Sequence, residues 1–237
     1  MGWLGKFSML KEIKKWFTKK NKYLLNAKQA GEALELLSSL EDNSVDLVFL
    51  DPQYEKVANV LKLAYPLYPQ SDYQIMRIIE QVGRILKPSS FCLLWINKGL
   101  LGSDRIAAWL IKSSSLKIVD CLVWYKKNTL GLGTWLRSNA EFCFLLQKYP
   151  TTGKRFTNRS FGTVWEENQL AVSQKKHPHQ KPKGLIKALV EATTIAGDLI
   201  VDPCAGSFIV LEVCRELGRD YLGCDLTFQE MEKFLAS

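Results

Sequence analysis

Two stretches far apart in the chain end an apolar run with the same dipeptide. VDLVFL is followed by Asp51-Pro52-Gln53-Tyr54, and LIV by Asp202-Pro203-Cys204-Ala205-Gly206-Ser207. Asp-Pro-x-Tyr places a carboxylate, a main-chain carbonyl and an aromatic face within four residues, a set that suits a nucleobase turned out of its stack. The lone pair of an exocyclic amino group is delocalised into its ring, which makes that nitrogen a poor nucleophile. Asp51 and the Pro52 carbonyl can accept its N–H groups, draw it toward tetrahedral geometry and stabilise the positive charge that grows as it attacks. Tyr54 can stack on the extruded ring. A bare Asp-Pro-x-Tyr is more often a plain turn after a strand; its coupling to the second site gives it weight.

At the second site, Ala205 and Gly206 form a tight turn in which backbone can approach a ligand closely, and the amphipathic run SFIVLEVCREL follows. The next strand ends in Gly223-Cys224-Asp225. Strand, small-residue turn, helix, strand and acid in that order make a nucleoside pocket, with the acid accepting from ribose hydroxyls. Metal chemistry finds less support. The six cysteines (Cys92, Cys121, Cys143, Cys204, Cys214, Cys224) include no CxxC pair and mostly lie in apolar contexts, as reduced core residues do. His177 and His179 stand among Lys175, Lys176 and Lys181 and read as phosphate or loop-packing residues. Because Pro203-Cys204 belongs to the small-residue turn, covalent attack on a pyrimidine ring is disfavoured.

Period and punctuation supply the elements that must position these groups. Helices are expected at 30–40, 72–86, 103–113, 182–195 and 207–217, with strands at 45–50, 91–96, 116–126, 140–148, 198–201 and 221–226 and a short one in KYLLNA. Strands alternating with helices predict a doubly wound, mostly parallel α/β sheet, in which ligands gather beyond the carboxyl ends of strands. Residues 149–180 are polar and read as an insertion or long functional loop.

A chain of 237 residues with 47% hydrophobic and 24% charged residues can bury one large core, and its longest apolar runs fall short of a membrane span. It has no secretory signal and is expected in the cytoplasm. The formal charge is +8, and residues 1–22 carry seven lysines against the single acid Glu12. This basic arm, with apolar residues at helical spacing from Trp3 to Phe17, suggests a polyanionic partner. Within 149–180 and just beyond, Lys154, Arg155, Arg159, Lys175, Lys176, His177 and His179 alternate with Phe156, Phe161 and Trp165, a pattern suited to phosphates and displaced bases. The loop from Lys126 to Arg137 is a second candidate for the same role.

NSVDLVFLDPQY, KKHPHQKPKGLIKALVEA and GDLIVDPCAGSFIVLEVCRELGRDYLGCDL together resemble, in that order, the β-class DNA amino-methyltransferases. These enzymes use S-adenosylmethionine to modify adenine N6 or cytosine N4. The resemblance covers roughly residues 23–148 and 176–230. It implies a Rossmann-like methyltransferase fold, a mostly parallel twisted sheet with helices on both faces and a permuted motif order. The domain would span 23–237 with a DNA-recognition insertion at 149–180. Carried over by position, Asp51, Pro52 and Tyr54 handle the target base with Gln53 alongside. Leu50, Lys181, Pro182, Asp202, Pro203, Cys204, Ala205, Gly206, Ser207 and Asp225 contact the cofactor, and Asn26 and Ala27 border its adenine ring. The implied partner is double-stranded DNA, with adenine N6 favoured as acceptor, no metal and no membrane; a homodimer is left open.

Two positions depart from the family pattern. Most relatives have a second proline where Gln53 stands and a second glycine where Phe208 stands, so this turn must direct a bulky ring into the helix–sheet core. The alternatives are a cytosine-N4 enzyme, methylation of RNA or protein, and an inactive homologue that only binds nucleic acid.

Overall fold

The run Val45–Leu50 forms β1, and all six of its residues are buried. Such a run reads as continuously apolar because helices cover both faces of the sheet. The computed structural model describes residues 22–53, 68–113, 115–131, 135–174 and 179–229. The basic arm up to residue 21 and the residues Tyr54, Lys175, Lys176 and His177 lie outside them.

After β1 the chain forms α2 (Asp72–Ile85), following the short α1 (Ala33–Ser38) that precedes the strand. A reciprocal capping box between Ser71 and Gln74 starts α2, and Ile75, Ile78, Ile79, Val82 and Ile85 make its buried stripe. The helix ends just ahead of Lys87-Pro88, as the proline predicts, and β2 (Leu86–Ile96) starts at once, five residues before the expected strand. That extra length is irregular: its register against β1 shifts between Val45 and Leu47, and Ser89 has a φ of 63°.

The short α3 (Lys98–Leu101) and α4 (Arg105–Leu110) lead to β3 (Leu116–Tyr125) and β4 (Ala140–Lys148). A three-residue β5 (Val164–Glu166), too short to show in the sequence pattern, pairs with β3 from within the polar segment. Then come α5 (Lys183–Thr193), β6 (Leu199–Asp202), α6 (Ile209–Leu217) and β7 (Asp220–Gly223). No described helix is long and apolar enough to cross a membrane.

The seven strands run in the order β5-β3-β4-β2-β1-β6-β7. Only β4 is antiparallel to its neighbours; the other pairings are parallel. One face is packed by α1, α2 and α4 through Leu36, Ile75, Ile79 and Trp109, the other by α5 and α6 through Leu185, Leu189, Val210 and Val213. From β1 the chain moves to β2 on one side, and from β6 to β7 on the other. Strand order therefore reverses between β1 and β6, which places the ligand crevice of an open α/β sheet beyond their carboxyl ends.

Residues 23–27 form no strand. Asn26, expected beside an adenine ring, donates from its carboxamide to Asp220 (3.0 Å) and accepts the Tyr221 N–H (2.8 Å), at the amino end of β7. Ala30 and Gly31 lie at the other end of that strand, where Ala30 bridges Asp225 and Gly31 N–H donates to the Asp225 carbonyl.

Candidate active site

The β1–β6 register pairs Leu47 with Ile200 and Val48 with Val201, so the chain beyond β1 leaves level with the turn beyond β6. Asp51 and Gln53 from the first tip border a hollow whose other wall is Asp202 and Cys204 to Ser207 from the second. Leu50, the last residue of β1, is fully buried and can face a ligand only through its main chain.

At the β1 tip a cavity of about 220 Å³ is bounded by Asp51, Pro52 and Gln53, with Asn97, Ser138 and His179 on its far side. Lys181 Nζ donates to Asp51 Oδ2 at 2.5 Å and pairs with Glu141 Oε2 at 3.0 Å. It also lies 5.0 Å from the centroid of the Trp95 ring. The other Glu141 oxygen is paired with Lys126, whose ammonium rests over Trp124. Burial would raise the Glu141 carboxyl, but the two lysines outweigh it and hold it near 2. Burial would likewise lower the Lys181 ammonium, and the Asp51 and Glu141 carboxylates overcome this and raise it. Lys181, assigned from the sequence to the cofactor, thus sits against the base-side carboxylate, while Pro182 next to it caps the start of α5.

The β6 tip has the opposite character. Asp202 is 1% exposed, and its Oδ1 has no hydrogen-bond partner among the described residues. Burial, then the charges of Asp225 and Asp51, push its carboxyl well above the usual range. Beyond it Gly206 (φ 47°) and Phe208 (φ 56°) both take left-handed backbone, and Phe208 N–H donates to the Ala205 carbonyl (2.8 Å) to close the turn. This conformation explains a glycine preference at Phe208, because a Cβ there costs roughly 1–2 kcal/mol. The ring goes into the core, as expected: it is fully buried and meets Phe228 edge-on at 5.1 Å.

Asp225 accepts from Gly206 N–H (2.8 Å), Thr227 N–H (2.8 Å) and Thr227 Oγ1 (2.6 Å). A carboxylate has about four lone-pair sites, so roughly one is left for a ligand hydroxyl. Asp225 borders a second hollow with Gln70, Pro203 and Thr227. The two hollows on this side are narrow, about 20 and 30 Å³, and share Gln53 and Cys204 as their common wall. A ligand the size of a nucleoside must join them there. Burial and the Asp225 and Asp202 charges hold the Cys204 thiol well above its ordinary value, so it is a neutral wall residue.

The basic residues proposed for phosphate contact separate into two groups. His179 lines the cavity. Lys154, Arg155 and Arg159 are exposed but are not brought to the crevice. Arg155 reaches Ser90 near the start of β2, and Arg159 packs beside Gly153. The six residues from Ser90 to Ile96 put them about 20 Å from the carboxyl end of the sheet. The cause is the reversed β4, which delivers the following chain to the amino end of its neighbours. The loop joining β3 to β4 does reach the mouth: Gly131 and Ser138 line the cavity, and Trp135 beside it is 93% exposed.

Glu141 was missed by sequence reasoning. Its signal was there to read, a lone acid at the start of the apolar strand AEFCFLL. Gln70, which approaches the Cys204 thiol, and Thr227, which holds Asp225, carry no such signal.

With this geometry in view, the chain can be set beside known proteins. It is 33% identical over 221 residues to the type II methyltransferase M.HhaII of Haemophilus parahaemolyticus, covering 88% of this chain and 94% of that one. A crystal structure of an M1.HpyAVI–SAM complex superposes with a TM-score of 0.64 at 18% identity, over 89% of this chain and 98% of that one. The cytosine-N4-specific PvuII DNA methyltransferase gives a TM-score of 0.65 at 15% identity, over 84% and 81%. The DNA methylase family model of N6- and N4-methyltransferases matches residues 45–235, from the start of β1 past the Asp225 turn, and the chain belongs to that family.

Proposed function

We propose that the protein methylates the exocyclic N6 of an adenine flipped out of double-stranded DNA, with S-adenosylmethionine as donor. One observation carries the reading: Asp51 and Gln53 wall both the β1-tip cavity and the hollow beneath the Asp202–Ser207 turn, so an acceptor in one lies next to a donor in the other.

The chemistry of the residues present fits both guests. S-adenosylmethionine, when bound, supplies a methyl group on a sulfonium together with an ammonium and two ribose hydroxyls. Asp202, with its buried Oδ1 lacking a partner, is suited to an ammonium or a polar hydrogen of the cofactor. Asp225 has acceptor capacity for a ribose hydroxyl, and the small Ala205 and Gly206 let the ligand approach the backbone. On the base side, Asp51 and the Pro52 carbonyl accept the amino N–H groups and stabilise charge as the nitrogen becomes cationic. Tyr54 follows in the chain to stack on the ring, and the cavity of about 220 Å³ has room for a purine. Positioning of the two guests supplies the rest of the acceleration. DNA contact is assigned to the β3–β4 loop, with Lys127, Arg137 and Trp135, and to His179.

The test is incubation with labelled S-adenosylmethionine and duplexes of defined sequence, followed by mass analysis of the nucleosides. Label in N6-methyladenine supports the proposal. Label in N4-methylcytosine refutes the base assignment, and DNA binding without label refutes catalysis.

A further inference from the structure

We infer that Lys181 is a positioning residue for methyl transfer, acting through Asp51: it holds one carboxylate oxygen in place and leaves the other for the amino group of the base. The inference rests on the proposed role of Asp51. Its basis is a row of alternating charges, Asp51–Lys181–Glu141–Lys126, that runs from the β1 tip through the segment before α5 to β4 and the end of β3.

Lys181 is built into its place. Its side chain is 6% exposed, whereas the Asp51 side chain it holds is 26% exposed and faces the cavity. An ammonium has three donors, and here two go to carboxylates on different strands while the Trp95 ring supports the charge. Glu141 and Lys126 anchor Lys181 from behind. Stability alone gives no reason for such an arrangement, because a buried ion pair is often no more stabilising than an apolar substitute of the same volume. A transfer site does need it, since an acceptor that must meet a developing cation has to be anionic and fixed in direction before the reaction.

The charged and titratable groups around Asp51 make that need concrete. Asp202 faces it across the crevice from β6 and adds negative charge. Cys143 lies beneath it on β4 as a neutral thiol, burial having raised it well above its usual value. His179 shares the cavity wall, and Glu141 and Lys126 stand behind Lys181. Lys181 is the cation in direct contact with Asp51 that offsets Asp202. Without it, Asp51 would take a proton more readily and its carboxylate would be free to turn.

The experiment compares Lys181→Met, Lys181→Arg and Glu141→Gln in the full chain, by single-turnover rate, KM for cofactor and DNA, and the pH profile. Thermal unfolding confirms that each variant is folded. Lys181→Met should slow transfer about 100-fold and leave both KM values within about threefold, as loss of a preorganised electrostatic contact does. Its acid limb should move to higher pH. Lys181→Arg should recover at least about tenfold of the rate, and Glu141→Gln should lose about tenfold. The Arg and Gln variants decide the matter if the Met variant fails to fold. An unchanged rate with a raised KM for cofactor would overturn the inference and return Lys181 to the cofactor pocket. Asp51→Asn separates the two levels: if it is inactive while Lys181→Met is normal, only the positioning role falls, and if it transfers normally the proposed function falls with it.

Discussion

The two strand tips that meet in the crevice share an Asp-Pro start but treat charge in opposite ways. At the β1 tip, Asp51 and Glu141 are each matched by a lysine. At the β6 tip, Asp202 and Asp225 lie close together, with no lysine or arginine ion pair recorded for either among the described residues, and the Asp202 carboxyl is pushed up as a result. A compensated tip suits a neutral ring whose charge appears only as it reacts. An uncompensated one suits a guest that brings its own positive charge, as a sulfonium with an ammonium does. The same dipeptide therefore serves two tasks, and the neighbours decide which.

Removing the compensated carboxylate should give the largest effect. Asp51→Ala should reduce transfer by about 1000-fold, the upper range for losing one preorganised transition-state contact, with labelled-methyl incorporation as the readout. Near-normal turnover would break the comparison.

Phe208 tests the β6 turn itself. Phe208→Ala should cost about 3–5 kcal/mol in urea unfolding, as loss of a buried ring does. Phe208→Gly should be the more stable of the two by up to about 1 kcal/mol despite being smaller, because it relieves the left-handed strain. If the glycine variant is the weaker one, strain does not shape this turn.

Asp225→Ala should weaken cofactor binding by about 10- to 100-fold, the cost of a charge-assisted hydrogen bond plus the freed Gly206 turn. Equilibrium binding checks this, and an unchanged dissociation constant would remove Asp225 from the pocket.

The smallest effect is on the stability of the ligand-free protein. Because the folded state raises the Asp202 carboxyl above its unfolded value of 3.8, the native chain binds more protons than the unfolded one. Stability from this group is thus highest in acid and falls as pH rises from the unfolded value through the folded one. Asp202→Asn should remove that penalty at neutral pH and raise the melting temperature by about 2–4 °C, the shift expected for about 1 kcal/mol in a chain of this size. A gain that is as large at pH 4 as at pH 7 would contradict this origin.

Both tips could be read from sequence because each is a local string: an apolar run, an Asp-Pro stop, and a turn whose small residues announce close approach. Their meeting followed from a general property of parallel sheets. The Asp51–Lys181–Glu141 row could not be read this way, since it depends on the antiparallel register that sets Trp95 opposite Cys143 and so carries Glu141 to the site. The same reversed strand misled the reading of Lys154, Arg155 and Arg159. Composition marks a segment as basic, but strand direction decides which end of the sheet it reaches. Asn26 differs again, because its side chain found the backbone of β7 before any ligand.

Calorimetric titration of S-adenosylmethionine into Asp51→Ala and Asp202→Asn tests the division of labour between the tips most directly. Binding should stay within about threefold of the parent for Asp51→Ala and weaken at least about tenfold for Asp202→Asn, as loss of a buried charged partner requires. Equal losses in both variants, or a loss confined to Asp51→Ala, would contradict it.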